Sequence, residues 1–356
     1  MPKLKRKPTK TSRAKDSLTA DELMTVMQGH VAFQLLWAGH KLDLFSLLSR
    51  KPGSTQAQIA KKLGLAERPA RILLVGLTAL RIITKTGEGY ANARVTEKWL
   101  VPDRPRSFAN VLGWQAEIVY PGLIDFVESL KKNKNLGLAR FPGPGNQLYD
   151  RLTTNPKLEK VFQDSMSALS NQSNVEILDK LPLKSSSHLI DMGGGMGTNA
   201  MAFARKFPHL RVSIFDHPTV CARAKKNIKA AGLSDRISTW PGNLFDDPLP
   251  DDVDAIIFCH MFTIWSPEKA MELLRKAYKA LPKGGKLLIF NMMGNDDDTG
   301  PISTALGSPY FLAIATGEGM LYSWKDHETR IRKAGFKRME RISDLPLDHG
   351  LLVATK

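Results

Sequence analysis

Leu189-Ile190-Asp191-Met192-Gly193-Gly194-Gly195-Met196-Gly197 decides how this chain folds. Its apolar half reads as a buried strand that stops at an acidic residue. Four glycines within the next five positions turn the chain into a helix beginning near Thr198. Glycine is needed where the backbone takes positive φ, or where a ligand lies against the main chain with no Cβ between. The helix start behind the loop presents unbonded N–H groups to that ligand. Nineteen residues beyond Gly197, a second short strand, Val212-Ser213-Ile214-Phe215, ends in Asp216. A carboxylate there is placed to accept from two ribose hydroxyls. Loop and carboxylate together predict a nucleoside-cofactor site in an α/β domain.

The rest of the C-terminal half agrees. Strands are expected at 187–192, 211–215, 236–240, 253–259 and 286–292, with two more near 336–342 and 349–354. Helices fall between them, including one at 324–334. Such alternation implies a mostly parallel sheet covered on both faces, closed by an antiparallel hairpin. Upstream, 101–180 reads as a helical, irregular region rich in aromatics, broken by Phe141-Pro142-Gly143-Pro144-Gly145.

Residues 18–100 have another pattern. Val31 to Ala38 carries apolar residues at helical spacing, continued by Leu42, Leu44, Phe45, Leu47 and Leu48. A helix from Ser54 to Leu65 and one from Arg68 to Leu80 follow. Ile82 to Lys85, the turn Thr86 to Gly89, and Tyr90 to Arg94 make a hairpin. Helix-turn-helix plus hairpin is a winged helix. Its second helix, Pro69 to Thr78, has few groups able to read base edges and is expected to be buried, so specific nucleic-acid binding is not expected. The segment Val31 to Leu48 is richer in large apolar residues than one helix face requires, and a two-fold homodimer would cover it.

The net charge of +16 does not contradict this. Lys3, Lys5, Arg6, Lys7, Lys10, Arg13 and Lys15 all precede the first acid, Asp16. Residues 1–17 are thus expected to be a disordered basic tail. A hydrophobic share of 42% with 24% charge fits a globular protein. No apolar run is long enough to span a membrane, and no apolar segment follows the basic start. Two cysteines, Cys221 and Cys259, suit a reducing cytoplasm and give no metal-ligand cluster.

Gly195-x-Gly197-x-x-Ala200 also fits the nicotinamide fingerprint, which alone is weak. Asp191 argues against a pyrophosphate and for a ligand with a positive amino group. At these residues the chain resembles class I S-adenosylmethionine-dependent methyltransferases of the small-molecule O-methyltransferase type. The resemblance runs from about Leu23 to Lys356. It rests on the Asp191 glycine loop, Asp216-His217-Pro218, Gly242-Asn243-Leu244-Phe245, Leu281-Pro282-Lys283-Gly284-Gly285-Lys286 and Ala334-Gly335-Phe336. It implies a Rossmann-like domain at 181–356, an N-terminal winged-helix dimerisation domain, and S-adenosyl-L-methionine as cofactor. It also implies roles. Asp191, Gly193 and Gly195 would hold the methionine part, Asp216 the ribose, and Asn243, Leu244 and Phe245 the adenine. Cys259 would face the sulfonium end.

The resemblance stops at the general base. Family members place a His two residues before a Trp; here that position is Thr263, before Trp265. The acid expected at the end of the fifth strand is Asn291, and a third falls at Leu321, three residues from Glu318. A threonine hydroxyl is far too weakly basic to take a proton near pH 7. The catalytic candidates are therefore Thr263 by position, and His260 or Glu318 as replacement bases. Transfer without a base also stands open, for an acceptor that is already acidic. Asp296-Asp297-Asp298 reads as a solvated loop. The acceptor is expected to be a small aromatic or conjugated metabolite lined by Trp114, Phe162, Met166, Phe262, Trp265, Asn291 and Met320. Oxygen is the first expectation for the methylated atom. Carbon or nitrogen, a non-methylating relative, and a ligand-sensing winged-helix regulator are the alternatives.

Overall fold

The computed structural model describes residues 18–356, and the basic stretch 1–17 lies outside the described residues. The chain divides into two units, Met1–Val101 and Pro102–Lys356.

In the first unit, helices α1 (Ala20–Met27), α2 (Gly29–Lys41) and α3 (Leu44–Arg50) precede a short strand β1 (Ser54–Thr55). Helices α4 (Gln56–Leu63) and α5 (Glu67–Ala79) follow, then strands β2 (Ile83–Thr86) and β3 (Gly89–Asn92), then α6 (Arg94–Trp99). Helix α4 starts one residue later than its sequence pattern implies, because Thr55 is the cap: its hydroxyl accepts from Gln58 N–H while Gln58 Oε1 accepts from Thr55 N–H. It stops at Gly64, which takes φ 67°. The wing carries a third strand, in the order β1-β3-β2.

Two expectations change here. Leu44, Phe45, Leu47 and Leu48 are fully covered by the unit's own core, together with Ile59, Leu74 and Leu77, so they offer nothing to a second copy. The exposed apolar side chains are instead Leu23, Met24, Val26 and Met27 of α1, and Val31. Helix α5 is also not wholly buried. Ala70, Leu73, Leu74 and Leu77 form its inner stripe, while Ile72 and Val75, on the opposite face, are exposed.

The second unit begins with helices α7 (Ala109–Trp114, running into a π turn at Gln115–Val119), α8 (Tyr120–Gly122) and α9 (Phe126–Lys132). After a 3-10 turn at Leu136–Arg140 come α10 (Leu148–Leu152) and the long α11 (Pro156–Ile177). The α/β part then alternates β4 (His188–Met192), α12 (Thr198–Lys206), β5 (Arg211–Asp216), α13 (Pro218–Ala230), β6 (Ile237–Pro241), β7 (Ala255–Cys259), α14 (Pro267–Ala280) and β8 (Lys286–Met292). It ends with α15 (Ile302–Tyr310, continued by a π turn at Phe311–Ala315), α16 (Trp324–Lys333), β9 (Arg338–Ile342) and β10 (His349–Thr355).

The seven strands are ordered β6-β5-β4-β7-β8-β10-β9, parallel except for β10, which runs antiparallel between β8 and β9. All five residues of β4 are buried, as a central parallel strand covered on both faces requires. Leu189, Ile214, Ala255 and Ile257 point to one layer, where they meet Ala200, Phe203, Ala224 and Ile228 of α12 and α13. Ile190, Met192, Ile256 and Phe258 point to the other, against Leu273, Leu274 and Ala277 of α14 and Ile331 of α16. The chain turns from β4 toward β5 on one side, and β7 lies on the other. The crevice for a ligand opens at that switch point, beyond the carboxyl ends of β4, β5 and β7. No helix among the described residues is long and apolar enough to cross a membrane.

Candidate active site

Asp191 ends β4 inside the protein. It is fully buried, and neither carboxylate oxygen has a hydrogen-bond partner among the described residues. Burial, and secondarily the charge of Asp216, push its carboxyl up to about 7. Such a group is unstable as an anion until a cation meets it.

The glycine loop leaves room for that cation. Gly193 (φ 71°) lies so close to Met261 that a Cβ would stand 2.2 Å from its sulfur. Gly195 (φ 57°) is the reverse case, with nothing within 4 Å of a Cβ: its bare backbone faces open space. Gly195 N–H donates to Asp216 Oδ2 at 2.9 Å, and His217 N–H to Asp216 Oδ1 at 2.7 Å. The loop is thereby tied to the carboxylate that ends β5, and each oxygen keeps a lone pair for a hydroxyl.

After β6, Asn243 builds a local turn. Its Oδ1 accepts from Phe245 N–H at 2.9 Å, and its own N–H donates to Asp247. Lys276 holds the Leu244 carbonyl at 2.7 Å. The Phe245 ring meets Trp265 edge to face at 5.1 Å. The Cys259 thiol, at the end of β7, is pushed well above its ordinary value by burial and by Asp191, so it is neutral and unreactive.

The acceptor end carries no ready base. Thr263 is buried and its hydroxyl donates to the His260 carbonyl at 2.9 Å, closing the turn after β7. Asn291 is fully buried, and both its amide atoms lack partners among the described residues. Leu321, at the third polar position, is buried and apolar. His260 takes φ 57°, donates its N–H to the Phe290 carbonyl, and packs its ring 5.2 Å from Phe290 and 5.1 Å from His349. Burial and His349 lower its imidazole to about 3, so it is neutral at pH 7. Glu318 sits at the surface, paired with Lys269 at 2.8 Å.

Of the seven lining candidates, the structure groups three. Trp114 and Phe162 belong to one aromatic cluster with Tyr149 and Tyr310, and Met166 lies one turn along α11 from Phe162. Trp265 joins Phe245, and Asn291 stands on β8. Two candidates are corrected. Phe262 faces the α14–α16 layer, 4.6 Å from Phe258, and is core. Met320 is 46% exposed. Its neighbour Gly319 packs on the backbone of Thr263 and Ile264, which directs the next side chain outward. Asp296, Asp297 and Asp298 are exposed, as a solvated loop requires, and Asp296 accepts from Lys325 N–H at 2.6 Å and pairs with Arg341 at 3.0 Å. Tyr310 follows no motif, and no signal along the chain marks it.

An O-methyltransferase domain model matches residues 123–337 and an O-methyltransferase dimerisation domain model matches 24–102. The chain is 42% identical over 346 residues to an L-tyrosine C(3)-methyltransferase of Streptomyces lavendulae, covering 96% of this chain and 94% of that protein. A 3-hydroxy-5-methyl-1-naphthoate 3-O-methyltransferase of Streptomyces sahachiroi is 28% identical, with 87% of each chain covered. The crystal structure of the S-adenosylmethionine-dependent methyltransferase SibL superposes with a TM-score of 0.82 at 37% identity, covering 94% of this chain and 98% of that one.

Proposed function

This chain belongs to the O-methyltransferase family and is an S-adenosylmethionine-dependent methyltransferase of small aromatic metabolites, and we propose that its acceptor is a free phenolic amino acid methylated on the ring carbon beside the oxygen. The observation that carries this reading is the base position. Thr263, Asn291 and Leu321 cannot take a proton from an aliphatic alcohol, whereas a phenol ionises on its own at accessible pH. An ionised phenol is also nucleophilic at the adjacent carbons. The relative at 42% identity is named for that chemistry on L-tyrosine.

The residues fit the cofactor. The buried, unpartnered Asp191 carboxylate answers the methionine ammonium, and the open backbone at Gly195, beside Gly193, gives the methionine part a bed. Asp216 receives the ribose hydroxyls, Asn243, Leu244 and Phe245 flank the adenine, and Cys259 provides a small neutral wall near the sulfonium. When bound, S-adenosylmethionine would supply the methyl group: the ring carbon takes it, the C–S electron pair stays on sulfur, and the proton on that carbon passes to solvent water as aromaticity returns. The aromatic side chains Trp114, Phe162 and Trp265 and the thioether of Met166 hold the ring and exclude water, so that transfer rests on proximity. The matched dimerisation domain and the exposed face of α1 support a homodimer built through the first unit.

Ring-deuterated L-tyrosine tests the carbon assignment. Carbon methylation removes one ring deuterium and leaves a free phenol, both read by mass spectrometry and NMR. A product that keeps every deuterium and carries a methoxy group overturns it.

A further inference from the structure

Trp114 ends α7, Tyr149 lies on α10 and Tyr310 ends α15. The Trp114 and Tyr310 rings meet edge to face at 5.0 Å, and the Tyr149 ring meets Phe162 at 5.9 Å. The Trp114 indole and the Tyr149 hydroxyl both lie against the Tyr310 phenol. Yet Trp114 Nε1 and Tyr310 Oη are buried without a hydrogen bond of normal geometry to any described residue. An indole N–H only donates, and a phenol hydroxyl has one proton to donate. The Trp114 N–H and the Tyr310 hydroxyl are thus buried donors left over in an otherwise apolar cluster.

Both phenols are pushed up by burial, Tyr149 to about 12, so they remain donors throughout the working range. Several charged groups on the elements packed there have partners of their own. Arg151 donates to the carbonyls of Leu138 and Phe141, Arg140 pairs with Asp125, Glu159 with Arg223, Lys131 with Glu128, and Glu117 has contacts of its own. Helix α11 sets the distance to the cofactor loop. Phe162 faces this group, and five residues on, about 7.5 Å along the axis, Ser167 Oγ stands 3.5 Å from Thr198 Oγ1 at the end of the glycine loop. That is the length of one aromatic ring with its substituents.

Resting on the acceptor class proposed above, we infer that Trp114 Nε1 and Tyr310 Oη, with Tyr149 behind them, bind the phenolic oxygen of the acceptor as its anion. Converging donors in a water-poor site stabilise an oxyanion far better than water-exposed ones do. The pocket thereby replaces the missing base: it lowers the acceptor's own ionisation point, and the released proton goes to solvent.

The test uses 3-nitro-L-tyrosine and 4-nitrophenol, whose ionised forms are coloured, titrated in pH with the full-length protein and S-adenosylhomocysteine. Both bound phenols are expected to ionise about one pH unit or more below the free compounds. Tyr310→Phe and Trp114→Phe each return that value toward the free one, corresponding to about a tenfold change in ionisation. In turnover with L-tyrosine the same variants move the kcat profile to higher pH. Thermal unfolding and S-adenosylhomocysteine affinity, both expected to match wild type, certify that each variant is folded; Tyr149→Phe gives a third, smaller shift should either fail that control. Bound phenols that ionise at their free values in wild type, or values unmoved in the folded variants, overturn the inference. So does a shift for 3-nitro-L-tyrosine alone, which would assign the donors to its carboxylate. If wild type shifts the nitrophenols but methylates no phenolic amino acid, the acceptor class fails and the oxyanion pocket stands.

Discussion

The glycine loop after β4 makes its half of the site from backbone: bare N–H groups, positive φ, and two carboxylates at strand ends. The acceptor half is made from side chains on α7, α10, α11, α15 and β8, separated by as many as 196 positions between Trp114 and Tyr310. The first half is written in one short stretch and waits for a cation. The second is written nowhere contiguously and, as proposed, receives an anion. Asp191 is a buried acceptor without a donor; Trp114 and Tyr310 are buried donors without an acceptor. On the proposed reading each end is polarised to oppose its ligand, and neither end needs a titrating base at pH 7.

The comparison breaks most visibly at Asp216. Replacing it by Ala removes the carboxylate from the ribose and releases Gly195 N–H, each contact being a charge-assisted bond of roughly 1.5–3 kcal/mol. S-adenosylhomocysteine affinity measured by calorimetry is expected to fall about a hundredfold or more. Unchanged affinity in a folded variant would place the cofactor elsewhere.

Asp191→Asn comes next and sharpens the contrast, because its two effects have opposite signs. The unfolded carboxyl titrates near 3.8 and the folded one at about 7, so the native state binds the extra proton between those values. Stability of the ligand-free protein therefore falls as pH rises from about 4 to 7, and the variant lacks that fall. Its melting temperature at pH 8 is expected to exceed wild type, while S-adenosylhomocysteine affinity drops about tenfold or more through loss of the ammonium contact. In wild type, affinity should rise with pH up to about 7 and then level off, with a proton released on binding. A pH-independent affinity would show that Asp191 is already ionised without ligand.

Smaller effects are expected at the base position. Thr263→Ala and His260→Ala should each change kcat less than about tenfold, against the 10²–10⁴ that a general base contributes. A kinetic inflection near pH 6.5 that vanishes in His260→Ala would contradict the low value of about 3 that burial imposes on this ring. Glu318→Gln should change almost nothing, since a surface pair such as Glu318–Lys269 adds at most about 1 kcal/mol.

What could be read without coordinates follows from the same division. The seven strands fall within two residues of their expected bounds, the central ones because a strand buried on both faces has to be an apolar run between turn residues. The wing was legible from its turn, although α4 begins at Gln56, behind its cap Thr55, and not at Ser54. The patch proposed to face a second copy was not legible. The apolar residues of α3 and those of α1 look alike in sequence, and only packing shows that Leu44 and Phe45 are covered while Met24 and Val26 are exposed.

The sequence by itself determined the sheet, the glycine loop, and the carboxylates at 191 and 216, because these depend on backbone conformations that a few neighbouring residues enforce. It also determined that no histidine occupies position 263. Tertiary structure alone decided the charge states. Asp191 is held near neutrality because burial and Asp216 act on it together, and His260 is silenced because Phe290 and His349 close over it. It alone brought Trp114, Tyr149 and Tyr310 to one place. Ionisation and hydrogen-bond surplus depend on what surrounds a group in space, and no spacing along the chain encodes that.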